Sequence, residues 1–222
     1  MASQRPRQAA VEYAAAIADE PAVMPIVDEV LARMPDAAAA ARALPDERYA
    51  TARATAALLL RARYDVLYLY MQRITAAHPE RDQPFAQLAV AAMALGKPGE
   101  ALAAAQTADR LRPTTLTALA VALALAALDR QAEAIEVLRR APPSAVANQR
   151  ANVAVNLAAL LRARGDLAAA REVLDTAAAG LGDHPLVEAQ VRRQLGTVED
   201  ALGHPNQAEW ERRRATELEA SK

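Results

Sequence analysis

The chain has 222 residues with 26 Lys and Arg against 27 Asp and Glu, a formal charge of −1. That balance offers no field to gather a polyanion, and one Trp, five Tyr and one Phe leave few platforms for stacked bases, so nucleic acid is not an expected partner. With no cysteine, disulfide frameworks and thiolate metal sites are excluded.

Alanine, the strongest helix former, recurs throughout, β-branched runs are absent, and all seven glycines lie at Gly96 or later. The expected fold class is all-α. Alanine faces let helices approach closely but bury little area each, so stability must come from many stacked contacts. Residues 1–20 lack a continuous apolar core because Glu12, Asp19 and Glu20 interrupt it, so no secretory leader is expected there. The expected setting is soluble, cytoplasmic or periplasmic, with the missing cysteines leaning slightly toward an oxidising compartment. Residues 1–48 are cut by Pro21, Pro25, Pro35 and Pro45 into short helices expected to pack on or cap the rest of the chain. In the second of them Val23, Met24, Ile26, Val27, Val30, Leu31 and Met34 are dense enough to demand burial.

Residues 49–81 read as a degenerate first repeat. Leu59-Leu60-Arg61-Ala62-Arg63-Tyr64-Asp65 matches Leu160-Leu161-Arg162-Ala163-Arg164-Gly165-Asp166 with tyrosine in the place of glycine. From residue 82 the grammar is clearer. Leu95-Gly96-Lys97-Pro98-Gly99-Glu100 reads as helix stop, tight turn and helix start, followed by small residues at Ala101, Ala105 and Ala108 and then by Pro113. The pattern returns after Asp129, where Pro142-Pro143 cuts the second helix short, after Gly165, and after Gly203. Ala101, Ala134, Ala170 and Ala208 are 33, 36 and 38 residues apart, the spacing of a two-helix repeat. Residues 114–128 are the longest uncharged apolar stretch, short of the ~18 to 20 residues a membrane span needs.

Residues 82–219 resemble the tetratricopeptide repeat family in about four units. The likeness is carried by Phe85, Leu88, Ala89, Gly96, Ala101, Ala108 and Pro113 in the best unit, and by Leu157, Ala158, Gly165, Ala170 and Ala177 in another. In the last unit it is carried by Leu195-Gly196, Gly203, Ala208 and Ala215. The resemblance implies a right-handed α-solenoid with an N-terminal helical extension, and a concave groove lined by the first helix of each pair. By that likeness the groove carries Ala86, Val90 and Met93, then Leu116, Leu119 and Leu123, then Asn148, Asn152 and Asn156, and finally Gln190, Arg193 and Gln194. It would run from apolar to polar.

Amides pair with an extended peptide backbone, so the leading expectation is a non-enzymatic adaptor holding a peptide or helix of another protein in this groove. The same asparagines also suit a plain solvated helix face. The family's clamp for a C-terminal carboxylate needs lysine or arginine beside asparagine, and only Arg193, with Arg162 second, stands near such a place. Tyr64, Tyr68 and Tyr70 crowd one short segment; they suit an amphipathic ligand at Tyr68 or simple space-filling between the N-terminal helices and the repeats. Those tyrosines and the apolar groove support an alternative: a periplasmic carrier that encloses a sterol- or hopanoid-like lipid.

No cofactor, metal or catalytic residue is expected. His78, His184 and His204 each precede a proline and lie far apart, without a carboxylate partner in sight. Ser144, after two prolines, reads as a helix cap; Ser3 and Ser221 are the only other serines. Arg212-Arg213-Arg214 reads as a basic patch at the negative end of the last helix. Trp210 is expected either to close an apolar edge or, if exposed, to mark a docking point.

Overall fold

A computed structural model describes residues 24–34, 36–46 and 48–220. The reading of residues 1–20, the place of Val23, and Ser3 and Ser221 fall outside these, as do the side chains of Met24 and Ile26. All regular structure among the described residues is helical, and the chain divides into two compact units at Arg112 and Pro113.

The first unit holds α1 (Met24–Arg33), α2 (Ala37–Ala43), α3 (Arg48–Leu60), α4 (Tyr64–Ala77), α5 (Asp82–Ala94) and α6 (Pro98–Leu111). The second holds α7 (Thr115–Ala127), α8 (Gln131–Arg139), α9 (Ala147–Ala163), α10 (Leu167–Ala179), α11 (Pro185–Ala201) and α12 (Pro205–Ala220).

One turn, used five times, joins the helices of each pair. Ala62, Gly96, Asp129, Gly165 and Gly203 all have positive φ, from 53° to 85°, and each following helix begins two residues later. In every case the next amide donates back across the turn, from Arg63 to Leu58, Lys97 to Ala92, Arg130 to Leu125, Asp166 to Leu161 and His204 to Glu199, each at 2.9 Å. This is the Schellman arrangement, which satisfies carbonyls that a helix end otherwise leaves open. Glycine takes the left-handed conformation without a Cβ clash, Asp tolerates it, and Ala62 has neither advantage.

The turn sets the register of all five repeats. Five residues after it stand Ala101, Ala134, Ala170 and Ala208, and twelve after it Ala108, Ala141, Ala177 and Ala215. In the first repeat these places hold Leu67 and Ile74, both fully buried. The seven-residue echo in the sequence is therefore out of register: it aligns Tyr64 with Gly165, whereas the backbone aligns Ala62 with Gly165.

Packing follows the repeat order. In the second unit α7 meets α8 and α9, α9 meets α10 and α11, and α11 meets α12, while α8 touches α9 and α10 touches α11. In the first unit α3, α4, α5 and α6 pack in sequence, with α1 against α3 and α2 against α4. On α1, Val27 is buried, Val30 and Leu31 are half-buried, as is Met34 just after the helix, and Asp28 binds the Arg61 guanidinium through two 2.6 Å hydrogen bonds. Tyr70 donates to the Pro45 carbonyl and Arg73 to that of Leu44, tying α4 to the segment between α2 and α3. Thr114 and Thr117 form a reciprocal capping box at the start of α7.

Three local expectations need correction. Ser144 is not the cap of α9, which is Val146; its hydroxyl instead accepts from the Val146 amide and donates to Gln149, bracing the approach to the helix. Arg212-Arg213-Arg214 lies in the middle of α12, because the helix continues to Ala220, so the dipole does not explain it. Arg212 instead pairs with Asp200 and Arg214 with Glu217. His204 does have a carboxylate partner: its Nδ1 is 2.8 Å from Glu199, five residues back on α11.

Candidate functional site

Counting from the left-handed residue of each turn shows which residues on the first helices are equivalent. Thirteen residues before it lie Gln83, Leu116, Asn152 and Gln190; ten before it lie Ala86, Leu119, Val155 and Arg193; six before it lie Val90, Leu123, Ala159 and Thr197. Leu116, Asn152 and Gln190 are therefore one position repeated on α7, α9 and α11, and α9 packs against both of its neighbours.

On α7 that face is apolar and open to water. Leu116 is 53% and Leu123 41% exposed, while Leu119 between them is half-buried; inward-facing Val121 and Leu125 are buried. On α9, Asn148 is exposed, Asn152 and Asn156 are half-buried, and Val155 beside them is buried. Asn156 donates its amide to the Asn152 carbonyl at 2.7 Å, so part of its capacity is spent within the helix. On α11, Gln190 is exposed and Gln194 half-buried, while exposed Arg193 forms a two-bonded ion pair with Glu219 of α12. That pair holds the Glu219 carboxyl below its ordinary range and raises the Arg193 guanidinium above its own. Arg193 is thus partnered inside the chain, and Arg162, also exposed, lies in the last turn of α9.

The remaining predicted site residues belong to the first unit. Val90 and Met93 are half-buried on α5. Tyr68 is buried on α4, where its hydroxyl donates to Glu100 and accepts from Gln72 at 2.7 Å. The Lys97 ammonium lies 4.1 Å from its ring centroid. The Glu100 carboxylate raises the Tyr68 phenol, with burial adding to it, and the phenol in turn lowers the Glu100 carboxyl. These contacts lock α4 to the turn between α5 and α6.

Charge that the sequence presents as solvated helix surface is partly interior in the last repeat. Glu188, Glu199 and Glu211 are 6%, 0% and 2% exposed. Arg192 reaches Glu188 at 2.6 Å and Glu211 at 3.0 Å, and Gln207 donates to Glu211. Burial opposes the Arg192 cation, but its two carboxylate partners outweigh that and keep it charged. Glu199 meets His204 and, at 2.7 Å, Arg171 of α10. Trp210 is 45% exposed, with the Arg192 guanidinium 5.5 Å from its ring centroid. Periodicity gave no signal for this network, since Glu and Arg at helical spacing read the same on either face.

Two clefts accompany these surfaces. One of about 400 Å³ lies in the second unit against Arg139 of α8, Leu161 of α9, and Glu172, Val173 and Thr176 of α10. The other, of about 20 Å³, lies in the first unit between α3 and α5 and has room for little more than a water molecule. No group of three or more metal-ligating side chains gathers among the described residues, and no helix there is long and apolar enough to cross a membrane.

No family model matches the chain, and neither does any curated protein. Solved structures do. MamA 41-end from Desulfovibrio magneticus RS-1 is similar with a TM-score of 0.62 at 18% identity, over 81% of this chain and 98% of that one. Another MamA crystal structure gives 0.61 at 16% identity, over 75% and 94%. A chain of the APC/C hetero-tetramer Cut9–Hcn1 gives 0.63 at 16% identity, over 90% of this chain and 37% of that one. The repeated turn, the alanine register and these likenesses agree: the chain has the tetratricopeptide-type helical-repeat fold.

Proposed function

We propose that this protein is a non-enzymatic interaction module and that the α7–α9–α11 face of its second unit holds an extended peptide segment of another protein. The observation that carries this reading is the pairing of Leu116 and Leu123, 53% and 41% exposed on α7, with the amides of Asn148 and Asn152 on adjoining α9. Two large aliphatic side chains left in water on one helix face cost free energy that a partner's apolar residues recover. Amides alongside supply donors and acceptors for a peptide backbone, whose own polar groups must stay satisfied when buried. Gln190 and Gln194 extend the polar part on α11. Arg193 contributes less, since Glu219 already occupies its guanidinium. The structural neighbours support this reading as helical-repeat proteins, and the Cut9–Hcn1 hetero-tetramer is itself an assembly of proteins.

The carrier alternative draws little support from these observations. Tyr68 is committed to Glu100 and Gln72, and the cleft beside Met71 holds about 20 Å³, far below the volume of a sterol.

A displayed random-peptide library selected against the full chain tests the proposal. Selected peptides should carry aliphatic residues, and the Leu116→Asp/Leu123→Asp double variant should bind them at least about tenfold more weakly while keeping its helical circular dichroism. Asn152→Ala should cost a few-fold, about one hydrogen bond. Unchanged affinity in the folded double variant would refute the site. Stoichiometric lipid in a solvent extract of the purified chain would favour the carrier.

A further inference from the structure

The spacing and charge of the α7–α9–α11 face narrow what it can hold. Asn148, Asn152 and Asn156 stand four residues apart and form one ridge of α9. A four-residue step rises about 6 Å, and such a ridge is inclined about 26° to the helix axis, so successive amides lie about 6.7 Å apart along it. An extended chain advances about 6.4–6.8 Å over two residues. Every second residue of an extended peptide laid along the ridge therefore meets an asparagine. A helix laid there has no use for these amides, because its backbone N–H and C=O groups are spent on itself. Asn156 gives one amide hydrogen to the Asn152 carbonyl, and its side chain has a second hydrogen and an oxygen besides.

The same geometry sets the side chains. In an extended chain the backbone groups of alternate residues point to one edge, and successive side chains point to opposite faces. With that edge on α9, one set of side chains is directed toward α7 and the other toward α11, the two first helices that α9 packs against. The first set meets Leu116, Leu119 and Leu123, and the second meets Gln190 and Gln194. Charge is missing from this surface. Helix α7 has no charged residue from Thr115 to Ala127, and the two arginines of α9, Arg150 and Arg162, fall outside the four-residue row. On α11, Arg193 is tied to Glu219, Arg192 to Glu188 and Glu211, and Asp200 to Arg212. A charged residue pressed onto the row would be desolvated without a counter-charge.

We propose that the partner segment is an uncharged, extended stretch lying along the Asn148–Asn152–Asn156 ridge, with aliphatic residues at alternate positions toward α7 and neutral polar residues between them toward α11. This rests on the peptide-binding reading of the face and adds to it the course, the period and the charge of the occupant. Affinity comes from the leucines, and the amide row fixes the register, since a slip of one residue turns the aliphatic set toward the glutamines.

The test uses two synthetic nonapeptides of identical composition, N-acetylated and C-amidated so that no terminal charge takes part. One carries leucine at alternate central positions with serine or glutamine elsewhere; the other carries its leucines at helical three- and four-residue spacing. Titrated into the full chain in a calorimeter, the alternating peptide should bind at least about tenfold more tightly than its isomer. Methylating its backbone nitrogens one at a time should cost about tenfold at alternate positions and less than about twofold at those between. Glutamate or lysine in place of the central leucine should each weaken binding at least about tenfold. Equal affinity of the isomers, no binding by either, or a methylation cost that does not alternate would overturn the alternating register. The peptide face itself then still stands if library-selected peptides are lost in Leu116→Asp/Leu123→Asp. Undiminished binding of the alternating peptide to that folded double variant would instead remove the face.

Discussion

In the first repeat, the residue four places before the left-handed turn is Leu58; in the last it is Glu199, and both are fully buried. Around Leu58 the interior is built from Leu67, Tyr70, Met71 and Ile74, and at the places of Leu67 and Ile74 the later repeats have alanine. Around Glu199 it is built from ion pairs, with Glu188 and Glu211 sharing Arg192, and Arg171 and His204 meeting Glu199 itself. The turn geometry is the same in both. A Schellman turn fixes how two helices leave one another but not which side chains fill the space between them, so one backbone unit tolerates an aromatic core at one position and a charged one at another.

Substitutions can sharpen that contrast, and the largest effect belongs to the charged core. Arg192→Ala strands Glu188 and Glu211 in the interior and should cost about 3–5 kcal/mol in urea unfolding; a change below about 1 kcal/mol would mean that these carboxylates are solvated. Replacing Glu199 by the Leu that Leu58, Leu125 and Leu161 represent at its position should act in the opposite direction. Its partners Arg171 and His204 are about half exposed and can return to water, so Glu199→Leu should stabilise the chain by about 1–2 kcal/mol. A destabilised variant would show that the ion pairs are needed for more than filling space.

Turn substitutions come next. Ala62→Gly should raise stability by about 0.5–1 kcal/mol, because a Cβ in the left-handed region costs more than glycine's added chain entropy. Asp129→Gly should gain less, since aspartate tolerates that conformation. Gly165→Ala should lose about 1 kcal/mol although nothing lies within 4 Å of the added methyl. Equal effects at Ala62 and Asp129 would remove the backbone explanation.

The smallest effect separates the units by pH. Burial raises the Tyr70 phenol, and the Glu100 carboxylate followed by burial raises that of Tyr68, so the neutral phenols are favoured in the folded state. Their contribution is complete below the unfolded value of about 10 and is lost as pH rises through the higher folded values. All five tyrosines precede residue 113 and the single tryptophan, Trp210, follows it. Tyrosinate absorbance should therefore report an alkaline transition of the first unit while Trp210 fluorescence remains at its neutral value; simultaneous changes would contradict the assignment.

The sequence made the fold legible where small residues are obligatory. Gly96, Gly165 and Gly203 mark turns that need positive φ, and alanines five and twelve residues later mark close helix contacts. Where Ala62, Leu67 and Ile74 take over these roles, the signal disappears, and the echo at residues 59–65 misplaces the register by two. The asparagines of α9 are legible as a stripe because four-residue spacing puts them on one helix face, while Leu116, Leu119 and Leu123 enter only through the likeness to the repeat family. The ties of Arg193 to Glu219 and Tyr68 to Glu100 are not legible, because each joins residues far apart in sequence, and helical spacing reports only which face of its own helix a residue occupies.

If the first helix of each pair in the second unit carries the binding face, a bound peptide must protect those helices and spare their partners. Hydrogen exchange of the full chain with and without a library-selected peptide measures that directly. Exchange should slow in α7 and α9, and to a smaller extent in α11, with α8, α10 and α12 unchanged; protection concentrated in α8 and α10 would contradict the assignment.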